Sequence, residues 1–179
     1  MKTKLNVGSG HPKGVYTNRE WINIDIAAKD HIDEKECVLN MSVLDMPNDF
    51  TDKFEVVHCI HMLEHMNRNL HKEVFKQLYR VVAPGGILYL EVPDFQYIVA
   101  LLHQAYTENK PEIVHIWKTS IYGKQRYNGD AHHWGFDARH LQELAKNAGF
   151  LNTRTTSDPK AMISSHYKQE PVILLIATK

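Results

Sequence analysis

The chain has 179 residues, of which 43% are hydrophobic and 23% charged, with 9 glycines and 7 prolines. This composition is that of a globular protein and excludes a disordered or collagen-like chain. At roughly 150 residues per domain, the length predicts a single domain over residues 1–179. No apolar run approaches the roughly 20 residues that span a bilayer. The N-terminus has no apolar signal segment. We therefore expect a soluble, cytoplasmic protein without membrane contact.

Lysine and arginine together number 21, as do aspartate and glutamate, so the formal net charge is zero. Proteins that bind nucleic acid usually carry a basic excess, so we expect no nucleic-acid partner. The two cysteines, Cys37 and Cys59, are too few for a disulfide framework and are expected as reduced thiols. Histidine is the compositional outlier with 12 residues. Some of these imidazoles are therefore candidates for proton transfer or metal binding, and the oligomeric state is left open.

Short apolar runs bounded by turn residues predict strands in the following segments: 4–7, 21–25, 36–40, 54–60, 87–93, 151–155 and 172–177. Apolar residues at helical spacing predict helices over 70–82, 95–105 and 138–148, and a further helix around 113–121. Asp94 and Asp137 are N-cap candidates, and Gly149 is a C-cap candidate. The strand at 54–60 is nearly apolar throughout, which predicts burial on both faces. Strands alternating with helices indicate an α/β fold with a mostly parallel sheet.

Only residues 11–20 separate the first two predicted strands, which leaves no room for a full crossover helix. We expect a loop or a single helical turn there. Residues 107–135 differ from the segments before and after them. Their pattern is mixed, and they include a glycine- and tyrosine-containing loop.

Glycine and polar residues follow four predicted strands at the same end. These signals are Gly8-Ser9-Gly10, Asp25, Asp45 and His61. In an open parallel sheet, ligands bind beyond the carboxyl ends of the strands. A glycine turn or a strand-end aspartate is common without any ligand, but four such signals on one edge predict a binding site there.

The type of ligand follows from the motifs that are missing. A dinucleotide site needs G-x-G-x-x-G opening a helix, but Lys13 occupies the third glycine position and Gly14 comes one residue late. No Walker-type phosphate loop is present either. A nucleoside without phosphates fits better: Asp25 would accept hydrogen bonds from ribose hydroxyls and Asp45 from an exocyclic amine, with Met46 against the ring.

Several segments together resemble the class I S-adenosylmethionine-dependent methyltransferases, in particular their small type 11 branch. The resembling segments are Leu5 to Gly10, Trp21 to Asp25, Leu44 to Pro47, Phe54 to His65, Leu78 to Gly86 and Leu141 to Phe150. The resemblance implies a Rossmann-like three-layer sandwich with a seven-stranded, mostly parallel sheet and an antiparallel last strand. It implies S-adenosylmethionine as the cofactor.

The resemblance also assigns cofactor contacts. Gly8 and Gly10 would pass beneath the methionine part, and Asp25, with the adjacent Ile26, would hold the ribose. The adenine would contact Asp45 and Met46, and the backbone around His61 would line the cofactor. Two features depart from the family pattern. Asn6 stands where many relatives have an acidic residue, and the first helix is abridged.

The acceptor side is predicted around Asp130 to Phe136, which faces the acceptor pocket in similar enzymes. His132 is the first catalytic candidate and His65 the second, because an imidazole with a pKa near ~6.5 suits a general base. Tyr122, Tyr127 and Trp117 are predicted to shape the substrate pocket. Residues 107–135 would form an acceptor-pocket or lid insertion.

The sequence thus predicts a methyltransferase acting on a small-molecule acceptor, such as a sugar or a metabolite hydroxyl or amine, without a metal. Two alternatives remain open. The chain could be an inactive module that only binds S-adenosylmethionine, for which the Asn6 departure is a hint. It could also be a zinc hydrolase, because His61 to His65 reads H-x-x-E-H, with Glu64 as the base.

Overall fold

The computed structural model describes residues 3–10, 20–26, 38–164, 168 and 170–179. Seven strands are formed: β1 (Lys4–Val7), β2 (Trp21–Asp25), β3 (Val38–Asn40), β4 (Phe54–Ile60), β5 (Val82–Pro93), β6 (Asn152–Thr156) and β7 (Val172–Thr178). The α-helices of the described part are α1 (His71–Val81), α2 (Phe95–Thr107), α3 (Pro111–Tyr122) and α4 (Ala138–Ala148). Short 3-10 turns lie at Val43–Asp45, Asn48–Phe50, Leu63–His65 and Arg68–Leu70.

All seven strands join one sheet in the order β3-β2-β1-β4-β5-β7-β6. The first five strands of this order pair in parallel. The strand β7 is antiparallel to both of its neighbours, β5 and β6. The predicted Rossmann-like α/β fold is therefore confirmed, including the direction of the last strand.

The predicted start of the fifth strand is wrong by five residues. Helix α1 ends at Val81 and β5 begins at once, because Val82 pairs with Phe54. The register then shifts before Val56 pairs with Ile87. The Pro-Gly-Gly sequence that predicted a loop before the strand is accommodated as this irregularity within it, with Gly85 at a φ of 77°.

One face of the sheet packs against α1 and α4. Both helices pack against each other and against the sheet, with their apolar sides buried. The buried side chains of this core include Leu5, Val57, Leu78, Leu88 and Leu141, each with no exposed surface. Burial of a large aliphatic side chain contributes about 2 kcal/mol, so this layer supplies much of the stability of the sheet.

The strand β4 is buried on one face only, which corrects the prediction of burial on both. Val57 and Cys59 are fully buried, whereas Val56, His58 and Ile60 alternate with them and are half-buried. This period-2 pattern follows from the pleat of the strand. The sequence concealed this alternation, because two of the three half-buried positions, Val56 and Ile60, are also apolar.

His58 packs on this second face between two aromatic rings. Its ring centroid lies 4.7 Å from that of Trp21 and 5.4 Å from that of Tyr89. Burial disfavours the imidazolium, and the ammonium of Lys4 opposes it further, so the pKa of His58 is lowered to about 4. The side chain is therefore neutral at physiological pH.

Residues 11–19 and 27–37 are among those outside the described part of the chain. The single turn predicted after the glycines, the abridged first helix and the Cys37 thiol fall on these residues. Cys59 is a free, buried thiol, as predicted, and burial raises its pKa. Among the described residues, no helix is long and apolar enough to cross a membrane.

The predicted helix caps are confirmed. The Asp94 carboxylate accepts a hydrogen bond from Tyr97 N at 3.1 Å, which starts α2 directly after β5. The Asp137 carboxylate accepts one from His140 N at 2.8 Å and starts α4. Gly149 ends α4 in the left-handed conformation, with a φ of 113°. Helices α2 and α3 pack on each other above the carboxyl end of β5.

Acidification should destabilise the protein through His58. The unfolded chain binds a proton at a pKa near 6.5 and the folded chain only near 4, so unfolding takes up a proton between these values. This contribution to the free energy of unfolding should fall by up to about 3 kcal/mol from pH 6.5 to 4.

We expect denaturant unfolding of His58→Gln to lose this part of the pH dependence. His103→Gln is the matched control, because His103 is exposed on α2. The assignment would be contradicted if the wild-type and His58→Gln curves stayed parallel over this pH range.

Candidate active site

The glycine turn after β1 is hydrogen-bonded to the end of β2. Gly8 N and Ser9 N both donate to the Ile24 carbonyl, at 2.9 and 3.2 Å. Gly10 N donates to the Asp25 carboxylate at 2.8 Å. The carboxylate of Asp25 is therefore fixed at the carboxyl edge of the sheet, directly beside the turn that the sequence predicted to hold a ligand.

The two glycines of the turn have positive φ values but different surroundings. Gly8 has a φ of 68°, and a Cβ at this position would overlap the side chain of Met62. Gly10 has a φ of 60°, and a Cβ there would meet no atom of the described residues within 4 Å. Gly8 thus lets the first turn approach the end of β4, whereas Gly10 is not held to glycine by a close contact with the described part of the chain.

The edge continues from β2 to β3 through Asn40, a residue that the sequence reasoning missed. Asn40 is the register partner of Asp25, and Met41 N donates to the Asp25 carbonyl at 3.1 Å. The sequence did offer one signal for this residue, because Asn40, like Asp25, is a polar residue at the end of a strand. The predicted adenine contacts lie further on: Asp45 is exposed in a 3-10 turn, and the Met46 side chain is buried in the core with 5% exposure.

Two other predicted cofactor contacts lie on this edge. Ile26 follows β2 and is 71% exposed. His61 follows β4 and has a φ of 50°, which is uncommon for a residue with a side chain. Its N–H donates to the Glu91 carbonyl at 2.9 Å, which holds this backbone in place. The roles of Gly8, Gly10, Asp25, Ile26, Asp45, Met46 and His61 in cofactor binding stay predictions.

The departure from the family pattern at Asn6 has a local explanation. The Asn6 side chain is 3% exposed, and its Nδ2 donates to Asn23 Oδ1 at 3.0 Å. Asn23 is fully buried on the neighbouring strand. The two neutral amide side chains therefore hydrogen-bond to each other. An acidic residue at position 6 would instead place a buried negative charge there.

The H-x-x-E-H segment forms a network around the buried carboxylate of Glu64, which is 1% exposed. His61 Nδ1 lies 3.2 Å from Glu64 Oε1, and His61 Nε2 lies 3.3 Å from Ser164 Oγ. The Glu91 carboxylate accepts hydrogen bonds from the Ile163 and Ser164 N–H groups.

The ionisation of Glu64 is set by its neighbours. Burial opposes the carboxylate, but the His61 hydrogen bond and the nearby His65 and His132 outweigh burial and lower the pKa of Glu64. Burial likewise disfavours an imidazolium at His61, but the bond to Glu64 outweighs it and raises the pKa of His61. The second carboxylate oxygen, Glu64 Oε2, is buried and has no hydrogen-bond partner among the described residues.

The two predicted catalytic histidines meet at this carboxylate. The ring centroids of His65 and His132 lie 4.8 Å apart, although the two residues are distant in the sequence. His65 Nδ1 faces the Ala131 carbonyl at 3.1 Å, and His132 Nδ1 faces the Ser120 carbonyl at 2.9 Å. A carbonyl only accepts, so each Nδ1 carries a hydrogen and donates it.

Main-chain hydrogen bonds hold His132 in this position. His133 N donates to the Glu64 carbonyl at 2.7 Å, and His132 N donates to the Tyr122 carbonyl at 3.0 Å. Gly123 permits the tight approach, because a Cβ at its φ of 76° would overlap the Asp130 carbonyl oxygen. Burial lowers the pKa of His132, so its imidazole is neutral at physiological pH.

The predicted substrate-binding aromatics lie around this point. Tyr127 stands on a loop closed by Asp130, whose carboxylate accepts from Arg126 Nε at 2.9 Å and Nη2 at 3.1 Å. This guanidinium lowers the pKa of Asp130 to about 2. Burial raises the pKa of Tyr127, and the carboxylates of Asp130 and Asp25 add to this shift. Tyr122 is 60% exposed and Trp117 is half-buried, both on α3.

The arrangement does not match a zinc hydrolase of the H-x-x-E-H type. Such a site needs both histidines one helical turn apart, but Leu63–His65 is a single 3-10 turn that begins after His61. His61 is bonded to Glu64, which would have to be the free base. This alternative therefore has no structural support.

Comparison with known proteins agrees with this architecture. A family model described as a methyltransferase domain matches residues 12–155. Over 91 residues, the chain is 32% identical to the demethylmenaquinone methyltransferase of Protochlamydia amoebophila. That match spans 48% of this chain but only 37% of the relative, so it covers little more than a third of the relative's length.

Solved structures share the fold over nearly the whole chain. A SAM-dependent methyltransferase from Archaeoglobus fulgidus superimposes with a TM-score of 0.62 at 13% identity, covering 98% of this chain and 85% of that one. The 1,6-didemethyltoxoflavin-N1-methyltransferase of Burkholderia thailandensis, solved with its substrate and S-adenosylhomocysteine, gives 0.56 at 13% identity, covering 98% and 70%.

The family match extends over most of the chain. The chain therefore belongs to the class I S-adenosylmethionine-dependent methyltransferases, and S-adenosylmethionine is its cofactor. The predicted family and cofactor are confirmed. Neither the inactive binding module nor the zinc hydrolase is supported by these matches.

The two glycines of the first turn should respond differently to alanine. Both substitutions place a Cβ at positive φ, which costs about 1 to 2 kcal/mol. Only Gly8→Ala also forces a Cβ into the Met62 side chain. We expect denaturant unfolding to show a loss of about 1 kcal/mol for Gly10→Ala and at least about 3 kcal/mol for Gly8→Ala. Equal losses would contradict the close approach of β1 and β4.

Proposed function

We propose that this chain transfers the methyl group of S-adenosylmethionine to a small-molecule acceptor. The observation that carries the proposal is the placement of two different groups on one edge of the sheet. Asp25 and the glycine turn lie at the ends of β1 and β2, and His65 and His132 meet beyond the end of β4. The edge thus offers hydrogen-bond acceptors for a nucleoside beside two imidazoles for an acceptor.

The cofactor would lie across the glycine turn. Asp25 already accepts a hydrogen bond from Gly10 N through Oδ2. Its carboxylate oxygens would also accept hydrogen bonds from the ribose hydroxyls, because each carboxylate oxygen can accept more than one hydrogen bond. Asn40, beside Asp25, would add a polar contact further along the edge towards the base.

Methyl transfer needs alignment more than activation, because the sulfonium is already an excellent leaving group. The acceptor atom would form its bond to the methyl carbon as the carbon–sulfur bond breaks, and that electron pair would stay on sulfur. Holding the two reactants in line supplies most of the acceleration. A hydroxyl acceptor also loses a proton, whereas an amine must only be bound in its neutral form.

His132 is the group that would take this proton. Its Nδ1 is fixed by the Ser120 carbonyl, its Nε2 is free, and burial keeps it neutral. Glu64 and His132 line a cavity of about 10 Å³, which fits a single water rather than an acceptor. The proton would therefore reach His132 through one water. A general base can act on its proton either directly or through one such water.

Residues 107–135 would form the acceptor side of the site within the single domain 1–179. Helix α3 supplies Trp117 and Tyr122, and the loop that follows supplies Tyr127. The exposed rings of Tyr122 and Tyr127 offer flat apolar surface for a small molecule. We propose these three aromatics as the acceptor contacts.

Removal of the Asp25 carboxylate tests the cofactor site. Loss of charge-assisted hydrogen bonds to two ribose hydroxyls costs about 3 kcal/mol or more. We expect calorimetric titration of Asp25→Ala with S-adenosylhomocysteine to show binding weakened at least about 100-fold.

Asp49→Ala is the matched control, because Asp49 is exposed and pairs only with Lys53 at 3.3 Å among the described residues. It should bind like the wild type. Unchanged affinity in Asp25→Ala, with an unfolding midpoint like that of the control, would contradict the proposed ribose contact.

The loop that carries Tyr127 should contribute to cofactor binding, because the ion pair between Arg126 and Asp130 holds it in place. Asp130→Asn replaces the bidentate carboxylate–guanidinium pair with a neutral amide, which loosens the loop that approaches Asp25. We expect the dissociation constant for S-adenosylmethionine to rise about tenfold in the same titration. Glu143→Gln, which alters an exposed pair with Arg139 on α4, is the control. Equal affinities in the two variants would show that the loop takes no part.

A further inference from the structure

We propose that Glu64, His65 and His132 form a binding site for a divalent transition-metal ion, with Zn²⁺ as the best-fitting ion. Each residue offers one ligand atom, and the three atoms lie within 4.8 Å of one another. Two imidazoles and a carboxylate are ligands that Zn²⁺ accepts in sites that keep a position open. The site differs from the H-x-x-E-H pattern, because Glu64 is a ligand and His61 is not.

The unpaired oxygen of Glu64 is the first independent sign of a missing cation. Glu64 Oε2 is buried and has no hydrogen-bond partner among the described residues. A buried polar oxygen without a partner is costly in a folded protein. An ion bonded to Oε2 removes this cost, because it replaces the missing partner.

The orientation of the two imidazoles is the second sign. Each Nδ1 is hydrogen-bonded to a main-chain carbonyl, of Ala131 for His65 and of Ser120 for His132. Metal-ligating histidines usually have this arrangement, because the carbonyl fixes the tautomer and aims the Nε2 lone pair at the ion. The Glu64 carboxylate is supported in the same way, by His61 on its other oxygen.

The space beside the three ligands suits an ion with one bound water. A cavity of about 10 Å³, the size of one water, borders Glu64 and His132 but not His65, so the ion would lie at its edge. Ligand atoms bonded to Zn²⁺ lie about 3.4 Å apart, so the side chains must close by about 1 Å.

The ion would deepen the proposed function, on which this role rests, by supplying the base for a hydroxyl acceptor. Its open position would hold the one water that the cavity of about 10 Å³ admits, and that water would lose a proton to become a hydroxide. The hydroxide would take the proton of an acceptor hydroxyl outside the cavity and become water again. The acceptor oxygen would then form its bond to the methyl carbon, and sulfur would keep the electron pair of the broken bond. With the ion bound, His132 would be a ligand, and the hydroxide would replace it as the base.

Titration of the chelator-treated protein with Co²⁺ and Zn²⁺, without any cofactor, tests the site itself. We expect one ion per chain, micromolar or tighter affinity for Zn²⁺, and visible Co²⁺ absorption typical of low coordination number. Glu64→Gln and His132→Gln should each weaken binding at least about 100-fold. His133→Gln is the matched control, because His133 is the adjacent histidine and is exposed.

The proposal is overturned if the wild type binds no ion below millimolar concentration, or if His133→Gln weakens binding as much as His132→Gln. Glu64→Gln keeps the volume of the side chain, and its thermal unfolding midpoint shows whether the fold is retained. Asp25→Ala separates the two proposals. It should keep the ion and lose the cofactor, so that failure of the cofactor site leaves the ion measurement intact.

Discussion

The contact between Gly8 and Met62 is the constraint on which the site depends. Gly8 follows β1 and Met62 follows β4, two neighbouring strands of the sheet, and a Cβ on Gly8 would overlap the Met62 side chain. The turn must therefore bend sharply at Gly8, and this bend brings Gly10 N to the Asp25 carboxylate at the end of β2. The absence of a Cβ at Gly8 thus allows the ends of β1, β2 and β4 to come together at the candidate ligand site.

The fold was largely predictable because its signals are local. Apolar runs ending in glycine or aspartate marked β1 and β2, and the Asp94 and Asp137 caps marked the starts of α2 and α4. The predictions were wrong where contacts between segments distant in sequence decide the structure. Val82 joins β5 because Phe54 pairs with it, and His58 is neutral because Trp21 and Tyr89 surround it.

The candidate site was predictable in its members but not in its arrangement. The sequence could name His65 and His132 as bases, because their residue type and neighbourhood suited that chemistry. It could not show that both converge on Glu64, since a main-chain hydrogen bond from His133 to Glu64 makes that contact. The same convergence underlies our proposal that Glu64, His65 and His132 bind a metal ion. Asn40 was missed because its side chain is unremarkable until the register places it beside Asp25.

The central claim is that the edge formed by β1, β2 and β4 binds the nucleoside of S-adenosylmethionine. The most direct measurement is calorimetric titration of the wild-type, chelator-treated protein with S-adenosylmethionine and, separately, with S-adenosylhomocysteine. The account predicts saturable binding of both at one site per chain with micromolar affinity. Absence of binding by either compound up to millimolar concentration would contradict it.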